Sequence, residues 1–101
     1  MARLTLEFFP DADDEWAHLI IKQEGMRGFK LPSAWFKDFV EALENTDKRE
    51  ALYFWCDYSV RHTRTSCTLC VSTISTPLLH LDAGQRSKLV EYLKTQHAEF
   101  L

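Results

Sequence analysis

The chain is poor in residues that interrupt regular structure, with three glycines and three prolines among 101 residues. Its hydrophobic content of 46% and aromatic content of 13% argue against disorder and supply enough apolar side chains for a core. No run approaches the roughly 20 consecutive apolar residues that a membrane-spanning helix requires. The opening residues MARLTLEFF contain Glu7 and lack the continuous apolar segment of a secretory signal. We therefore expect a soluble, cytoplasmic protein.

Cysteine and excess positive charge are also scarce. The cysteines are Cys56, Cys67 and Cys70, an odd number that favours free thiols over a disulfide framework. The formal net charge is −3, with 7 basic and 11 acidic residues in the first 50 positions and 5 basic and 4 acidic in the remainder. Neither half has the strongly basic character of a non-specific nucleic-acid binder. The length fits a single domain spanning residues 1–101.

Motifs for catalysis, phosphate binding and metal binding are absent or incomplete. The chain has no nucleophile elbow and no phosphate-binding glycine loop. Cys67 and Cys70 have the spacing of a zinc knuckle, but they lie in strand-like sequence, where residues three apart point to opposite faces. The acidic turn at 10–15 lacks the twelve-residue layout of a calcium loop. We therefore predict a protein that is not an enzyme and carries no metal or cofactor.

The first half of the chain reads as three strands followed by a helix. Apolar and polar residues alternate at 3–9 and 16–23, which is typical of half-buried strands. A short extended segment at 29–31 follows a glycine-containing turn, and Ser33 is a suitable N-cap for a helix that runs to about Asn45. The apolar stripe predicted for this helix consists of Trp35, Phe36, Phe39, Val40 and Leu43.

The second half repeats this order of elements. Asp82 is a suitable N-cap for its helix. The predicted segments are a strand at 51–60, a turn at 61–64, a strand at 65–75, a short extended segment at 78–81 and a helix at 83–97.

A constant offset of 50 residues superimposes the two halves, which we interpret as pseudo-duplicated β-β-β-α units at 1–46 and 51–97. The predicted fold is an α+β two-layer sandwich, in which two helices cover one face of a mainly antiparallel sheet of about six strands. A one-residue slip would move each apolar set to the wrong face, and the offset needs none. It aligns Leu4, Leu6 and Phe8 with Phe54, Cys56 and Tyr58, and Ala17, Leu19 and Ile21 with Cys67, Leu69 and Val71.

The sheet face opposite the helices is more aromatic than a plain solvent-facing surface. Exposed apolar patches often mark interaction sites, and Trp and Tyr are their typical anchors. This face can pair with a second copy in a homodimer, bind another protein, or be covered by the C-terminal tail at 96–101. The predicted interaction residues are Trp16, His18, Ile20, Tyr53 and Trp55, with Arg61 and Arg64 of the basic turn as secondary contacts.

Two β-rich units that are each closed by a helix resemble, in topology alone, the PUR-repeat and Whirly-type single-strand-binding proteins. The resemblance implies base stacking on the aromatic sheet face. Each unit here is one strand shorter than in those proteins. The residues that would take this role are Trp16, Tyr53 and Trp55, with Arg3, His18 and Lys22.

The first expectation for function is a small bacterial or phage protein-interaction domain of the inhibitor, immunity or adaptor type. It would bind itself or another protein through the aromatic face and have no membrane association. The alternative is a single-stranded nucleic-acid-binding module that uses the same face.

Overall fold

The computed structural model describes residues 3–10, 16–73 and 77–101. Described residues form seven strands, two α-helices and two short 3-10 turns. The strands are β1 (Leu4–Phe9), β2 (His18–Gln23), β3 (Phe29–Pro32), β4 (Leu52–Trp55), β5 (Tyr58–His62), β6 (Ser66–Val71) and β7 (Leu79–Asp82). The helices are α1 (Phe36–Glu44) and α2 (Ala83–Gln96), and the 3-10 turns cover Ser33–Trp35 and Ala98–Phe100.

The fold is α+β, but the strands form two antiparallel sheets instead of the expected single sheet. One sheet has the order β1-β2-β3 and the other β4-β5-β6-β7. The additional strand arises because a two-residue turn at Cys56 and Asp57 divides the segment predicted as one strand at 51–60. Cys56 has a φ of 49°, a left-handed conformation that reverses the chain. The second half is therefore β-β-β-β-α.

The offset of 50 residues is wrong for the first two strands of each three-stranded unit, that is, for β1 with β5 and for β2 with β6. The offset holds for β3 and β7. In the neighbouring strands, residues at equivalent positions of the two sheets differ in number by a value other than 50. Phe54, Cys56 and Tyr58 are therefore not the counterparts of the apolar residues of β1. Phe8, Leu19 and Leu31 lie side by side in the first sheet, as His62, Cys67 and Leu81 do in the second.

One hydrophobic cluster draws on both sheets and both helices. α1 packs on β4 and β5, α2 packs on β6 and β7, and the helices contact each other. The ring of Phe39 lies 5.9 Å from that of Phe29 and 4.9 Å from that of Phe54, so one helical side chain contacts both sheets. Burial of these side chains stabilises the fold by about 25 cal/mol per Å² of apolar surface. The fully buried members include Leu19, Ile21, Leu31, Phe36, Leu43, Val60, Leu69, Leu79, Leu81, Leu89 and Leu93.

The two helices begin differently. Asp82 caps α2 as predicted: its Oδ1 accepts from the Gln85 backbone N–H at 2.8 Å, and its own N–H donates to Gln85 Oε1 at 3.2 Å. The prediction that Ser33 caps the first helix is wrong, because α1 begins at Phe36 after a 3-10 turn and has no side-chain cap. The Ser33 backbone N–H donates instead to Ala17 O at 2.8 Å. Within the described residues, neither helix has the length and hydrophobicity to cross a membrane.

The two sheets are joined through β7 by a side chain and a glycine. The amide Nε2 of Gln23 donates to His80 O, and the His80 N–H donates to Gln23 Oε1 at 2.7 Å. The Gly28 N–H donates to Leu78 O at 2.9 Å. Gly28 has a φ of +70°, and a Cβ there would lie 2.5 Å from Ile21 O. A side chain at this position is therefore excluded both by backbone conformation and by space.

Gly28→Ala should destabilise the protein by more than about 3 kcal/mol, because the methyl group meets backbone that cannot move without breaking β2. Gly25→Ala is the matched control, since Gly25 also has a positive φ of +79° but nothing lies within 4 Å of the point that a Cβ would occupy. The control should cost about 1–2 kcal/mol for the left-handed conformation alone. Urea unfolding measures both values, and equal losses would contradict the proposed close contact.

Gln23→Leu should cost about 2–4 kcal/mol, because it leaves the His80 N–H and C=O without their partner. Gln96→Leu, at an exposed position of α2, is the control and should change the free energy of unfolding by less than about 0.5 kcal/mol. Amide hydrogen exchange at His80 should accelerate in the Gln23 variant and stay unchanged in the control. Unchanged His80 exchange would show that the side chain does not join the sheets.

Candidate interaction site at the edge of the first sheet

The three tryptophans of the chain all border β3. Trp16 precedes β2 and is 67% exposed, and Trp35 follows β3 and is 36% exposed. Trp55, at the end of β4, is half-buried. They line two adjoining grooves that share Lys30 and Pro32 as a common wall.

The first groove has a volume of about 360 Å³ and is lined by Trp16, His18, Lys30, Pro32 and Trp35. His18 is 6% exposed and forms part of its floor. Its ring stacks on Phe9 with centroids 5.1 Å apart, and its Nδ1 lies 2.9 Å from Trp16 O. A protonated Nδ1 would donate to that carbonyl, so His18 fixes the backbone that carries Trp16.

The second groove, of about 800 Å³, lies between β3 and the β4–β5 turn. Trp55 stacks on Tyr58 with centroids 4.8 Å apart, and Tyr58 stacks on Phe29 at 5.7 Å. These three rings form an aromatic wall that runs from the second sheet to the first. The lining residues are Arg27, Gly28, Phe29, Lys30, Pro32, Trp55, Tyr58, Val71, Thr73 and Leu78.

Backbone polar groups at the free edge of β3 complete the site. The Ser33 N–H bonds to Ala17 O, and the pairing of Leu31 with Leu19 continues this register. Alternate residues of β3 therefore turn their backbone groups toward β2, and Lys30 turns its N–H and C=O outward. These two groups have no hydrogen-bond partner in the described part of the chain. Pro32 has no N–H, so the edge offers one donor and two acceptors.

The charge lining the grooves is positive. Arg27 and Lys30 line them, and no described carboxylate does. This is notable in a chain whose formal net charge is −3. Apolar aromatic walls beside two cations suit an occupant that carries both apolar and negative groups.

The structure brings part of the predicted residue set together. Trp16 and His18 meet in the first groove, and Trp55 lies in the second. Ile20 is half-buried opposite Lys30 on the neighbouring strand. Tyr53, which is 62% exposed, lines neither groove.

The prediction that Trp55 shares an outward face with Tyr53 is wrong. Pairing along β4 shifts between these residues, so Trp55 lies opposite Tyr58 while Tyr53 lies opposite Ser59. Trp55 consequently packs against the edge of the core cluster. Local alternation could not reveal this, because the shift depends on the turn at Cys56.

Half of the basic turn predicted at 61–64 is strand. Arg61 and His62 belong to β5, and only the following residues turn. His62 is buried, with its Nε2 2.8 Å from Ala42 O, and Arg61 is exposed beside Thr68. Arg64 lies in the turn and lines a separate cavity. Neither arginine reaches the grooves, and residues 11–15 of the acidic turn lie outside the described residues.

The C-terminal tail packs on the helix side of the first sheet. The ring of Phe100 lies 6.2 Å from Phe8 and 5.5 Å from Phe36, and His97 lies 4.2 Å from Phe8. No described tail residue lines either groove. The expected alternative, in which the tail covers the aromatic surface, is wrong for these grooves.

The cysteines occupy three different environments. Cys67 is fully buried and Cys70, three residues further along β6, is half-buried, as alternation predicts for opposite faces. Cys56 is exposed in a turn, so the prediction that aligned it with the apolar residue Leu6 of a strand is wrong. Within the described residues, no group of three or more His, Cys, Asp or Glu side chains is arranged to hold a metal ion. Burial raises the pKa of the Cys67 thiol from 9.0 to about 11, with a smaller opposing effect of Arg86.

Stability should fall above pH 9 because of Cys67. Below pH 9 the thiol is protonated in both states, whereas between pH 9 and 11 it ionises in the unfolded chain but not in the folded protein. This difference should cost about 2–3 kcal/mol across that range. Cys67→Ala is the control, and its free energy of unfolding should decline less steeply over the same interval. Parallel curves for the two proteins would contradict the raised pKa.

No protein-family model, curated protein or solved structure matches the chain.

The site residues that the sequence did not predict are those of the β3 edge and its neighbours. Trp35 belongs to the predicted apolar stripe of the first helix, but it is 36% exposed. Adjacent residues point about 100° apart on a helix, so Trp35 and Phe36 cannot both lie at the centre of the stripe. Lys30 and Pro32 together on a short strand are a recognisable sign of a sheet edge. Away from β3, the missed lining residues are Arg27, Tyr58, Val71, Thr73 and Leu78.

Proposed function

We propose that this protein is a non-enzymatic binding domain that holds an extended segment of another protein along β3. The observation that carries the proposal is the convergence of Trp16, Trp35 and Trp55 on one strand edge whose Lys30 backbone groups are unpaired. An extended chain laid on this edge can hydrogen-bond to Lys30 and place alternate side chains against the tryptophans.

The residues that line the two grooves indicate the chemistry of the occupant. Tryptophan side chains favour apolar or proline residues, which bury large area at little entropic cost. Arg27 and Lys30 favour carboxylates on the same segment, and no described acidic residue lines the grooves to compete. The preferred occupant is therefore an extended segment in which apolar and acidic residues are mixed.

Single-stranded nucleic acid is the second candidate. The same three tryptophans can stack bases, and Arg27 and Lys30 can neutralise phosphates. Two cations give a small electrostatic contribution, however, and such binding would weaken steeply with salt. A peptide held by backbone hydrogen bonds and apolar contacts would depend less on salt.

The test is selection of random peptides displayed on phage, followed by fluorescence titration of the selected peptides. We expect enrichment of mixed acidic and apolar sequences, with affinity that falls at least tenfold in Trp16→Ala and in Lys30→Pro. Tyr53→Ala is the matched control, since Tyr53 is exposed and aromatic but lies outside both grooves. Its affinity should equal that of the wild type.

Two outcomes would overturn the proposal. One is selection of peptides whose binding is indifferent to Trp16 and Lys30. The other is strong, salt-dependent binding of an oligothymidine strand with no peptide selected, which would establish the nucleic-acid alternative.

A further inference from the structure

A second sheet edge in this fold is open and, unlike β3, unprotected. The Glu24 N–H donates to Arg3 O, so the backbone of Arg3 faces β2. Thr5 and Glu7 follow Arg3 at intervals of two residues, and their backbone groups therefore face β2 as well. Leu4, Leu6 and Phe8 therefore turn their backbone N–H and C=O groups away from β2. None of these groups has a hydrogen-bond partner in residues 3–10, 16–73 or 77–101.

The other sheet edges in the described part of the chain are each irregular, already bonded or, in β3, limited to one N–H donor and two carbonyl acceptors. β3 carries Lys30 and Pro32, β4 has an irregular register, and β7 is closed by Gln23 and Gly28. β1 is six residues long, regular, and free of proline and lysine. Natural proteins seldom leave such an edge without a partner.

We propose that β1 pairs with β1 of a second copy, so that two first sheets join into one six-stranded antiparallel sheet. This inference is independent of the function proposed at β3. A two-fold register centred on Leu6 fits best, because it pairs Leu6 with its own copy and Leu4 with Phe8 of the other chain. All three outward-facing residues then exchange both backbone hydrogen bonds.

Side chains are self-complementary in this register. The side chains of Leu4, Leu6 and Phe8, which are partly buried in one copy, gain cover from the same residues of the other. On the opposite face, Thr5 lies across from Glu7, so the two glutamates are not directly opposed. Arg3 lies diagonal to Glu7 of the second copy, and this opposite-charge contact occurs twice. A register shifted by one residue toward the C-terminus in each chain would set Glu7 against its own copy, which is unfavourable. A shift in the other direction would leave Phe8 opposite residue 2, outside β1, and so without its cross-strand partner.

Edge pairing buries less surface than a standard stable interface. We therefore expect a weak dimer, with a dissociation constant of about 10–100 µM. The first test is sedimentation of Leu6→Pro, which removes the central N–H without removing any bond between β1 and β2. It should weaken dimerisation by at least about tenfold. Lys30→Pro makes the same change at the β3 edge and should leave dimerisation unchanged.

A wild type that remains monomeric at about 1 mM would overturn the inference. So would a Leu6→Pro variant that folds and dimerises as tightly as the wild type. The two proposals are tested independently. Lys30→Pro alters the β3 edge only, so a failure of the peptide-binding proposal would not change the dimerisation expected in the sedimentation experiment.

Cysteine cross-linking provides a second measurement if Leu6→Pro fails to fold. In a background that carries Cys56→Ser and Cys70→Ser, Leu6→Cys should form an intermolecular disulfide under mild oxidation, because paired residues lie about 5.5 Å apart. Leu4→Cys is the control and should remain monomeric on non-reducing gels. Absence of cross-linking at Leu6, or equal cross-linking at Leu4, would contradict the proposed pairing.

Discussion

The hydrogen bonds between the amide of Gln23 and the backbone of His80 are the interaction on which the arrangement of the two sheets depends. β7 would otherwise present an open edge beside the first sheet. A carboxamide has the same donor and acceptor as a peptide group, so Gln23 acts as a strand residue supplied by a side chain. The orientation of the amide is fixed, since its partners are one N–H and one carbonyl. Gly28 adds a third bond and needs the space a side chain would fill.

This junction also determines where the candidate site lies. β7 is attached beside Gly28, at the start of β3, and the rest of β3 separates from the second sheet. The space that opens is the larger groove, walled by Phe29, Tyr58 and Trp55. The Lys30 backbone remains unpaired for the same reason. Site geometry is thus a consequence of joining two sheets at one point instead of along a whole strand.

Local patterns predicted much of the fold, and long-range pairing accounts for the errors. Alternation located β1 and β2, the glycine-containing turn before it located β3, and a composition rich in β-branched and small residues located β6. The cap at Asp82 located α2, because satisfaction of helix-end groups leaves a direct mark in the sequence. In the second half, the prediction of one strand at 51–60 is wrong at Cys56, because the left-handed conformation of this residue is unusual for a residue other than glycine. At the site, Trp16 and Trp55 could be chosen for their residue type, whereas Trp35 and the Lys30 edge depend on where β3 separates from β7.

The position of Gly28 has a thermodynamic consequence. It belongs both to the junction between the sheets and to the lining of the larger groove. If the junction opens, the groove loses one of its walls. The apparent affinity for any occupant therefore depends on the fraction of molecules in which the junction is closed. By the same linkage, an occupant that requires the closed junction raises the free energy needed to separate the sheets. Substitutions in the part of the β6–β7 pair that does not line the groove can thus change affinity without contacting the occupant.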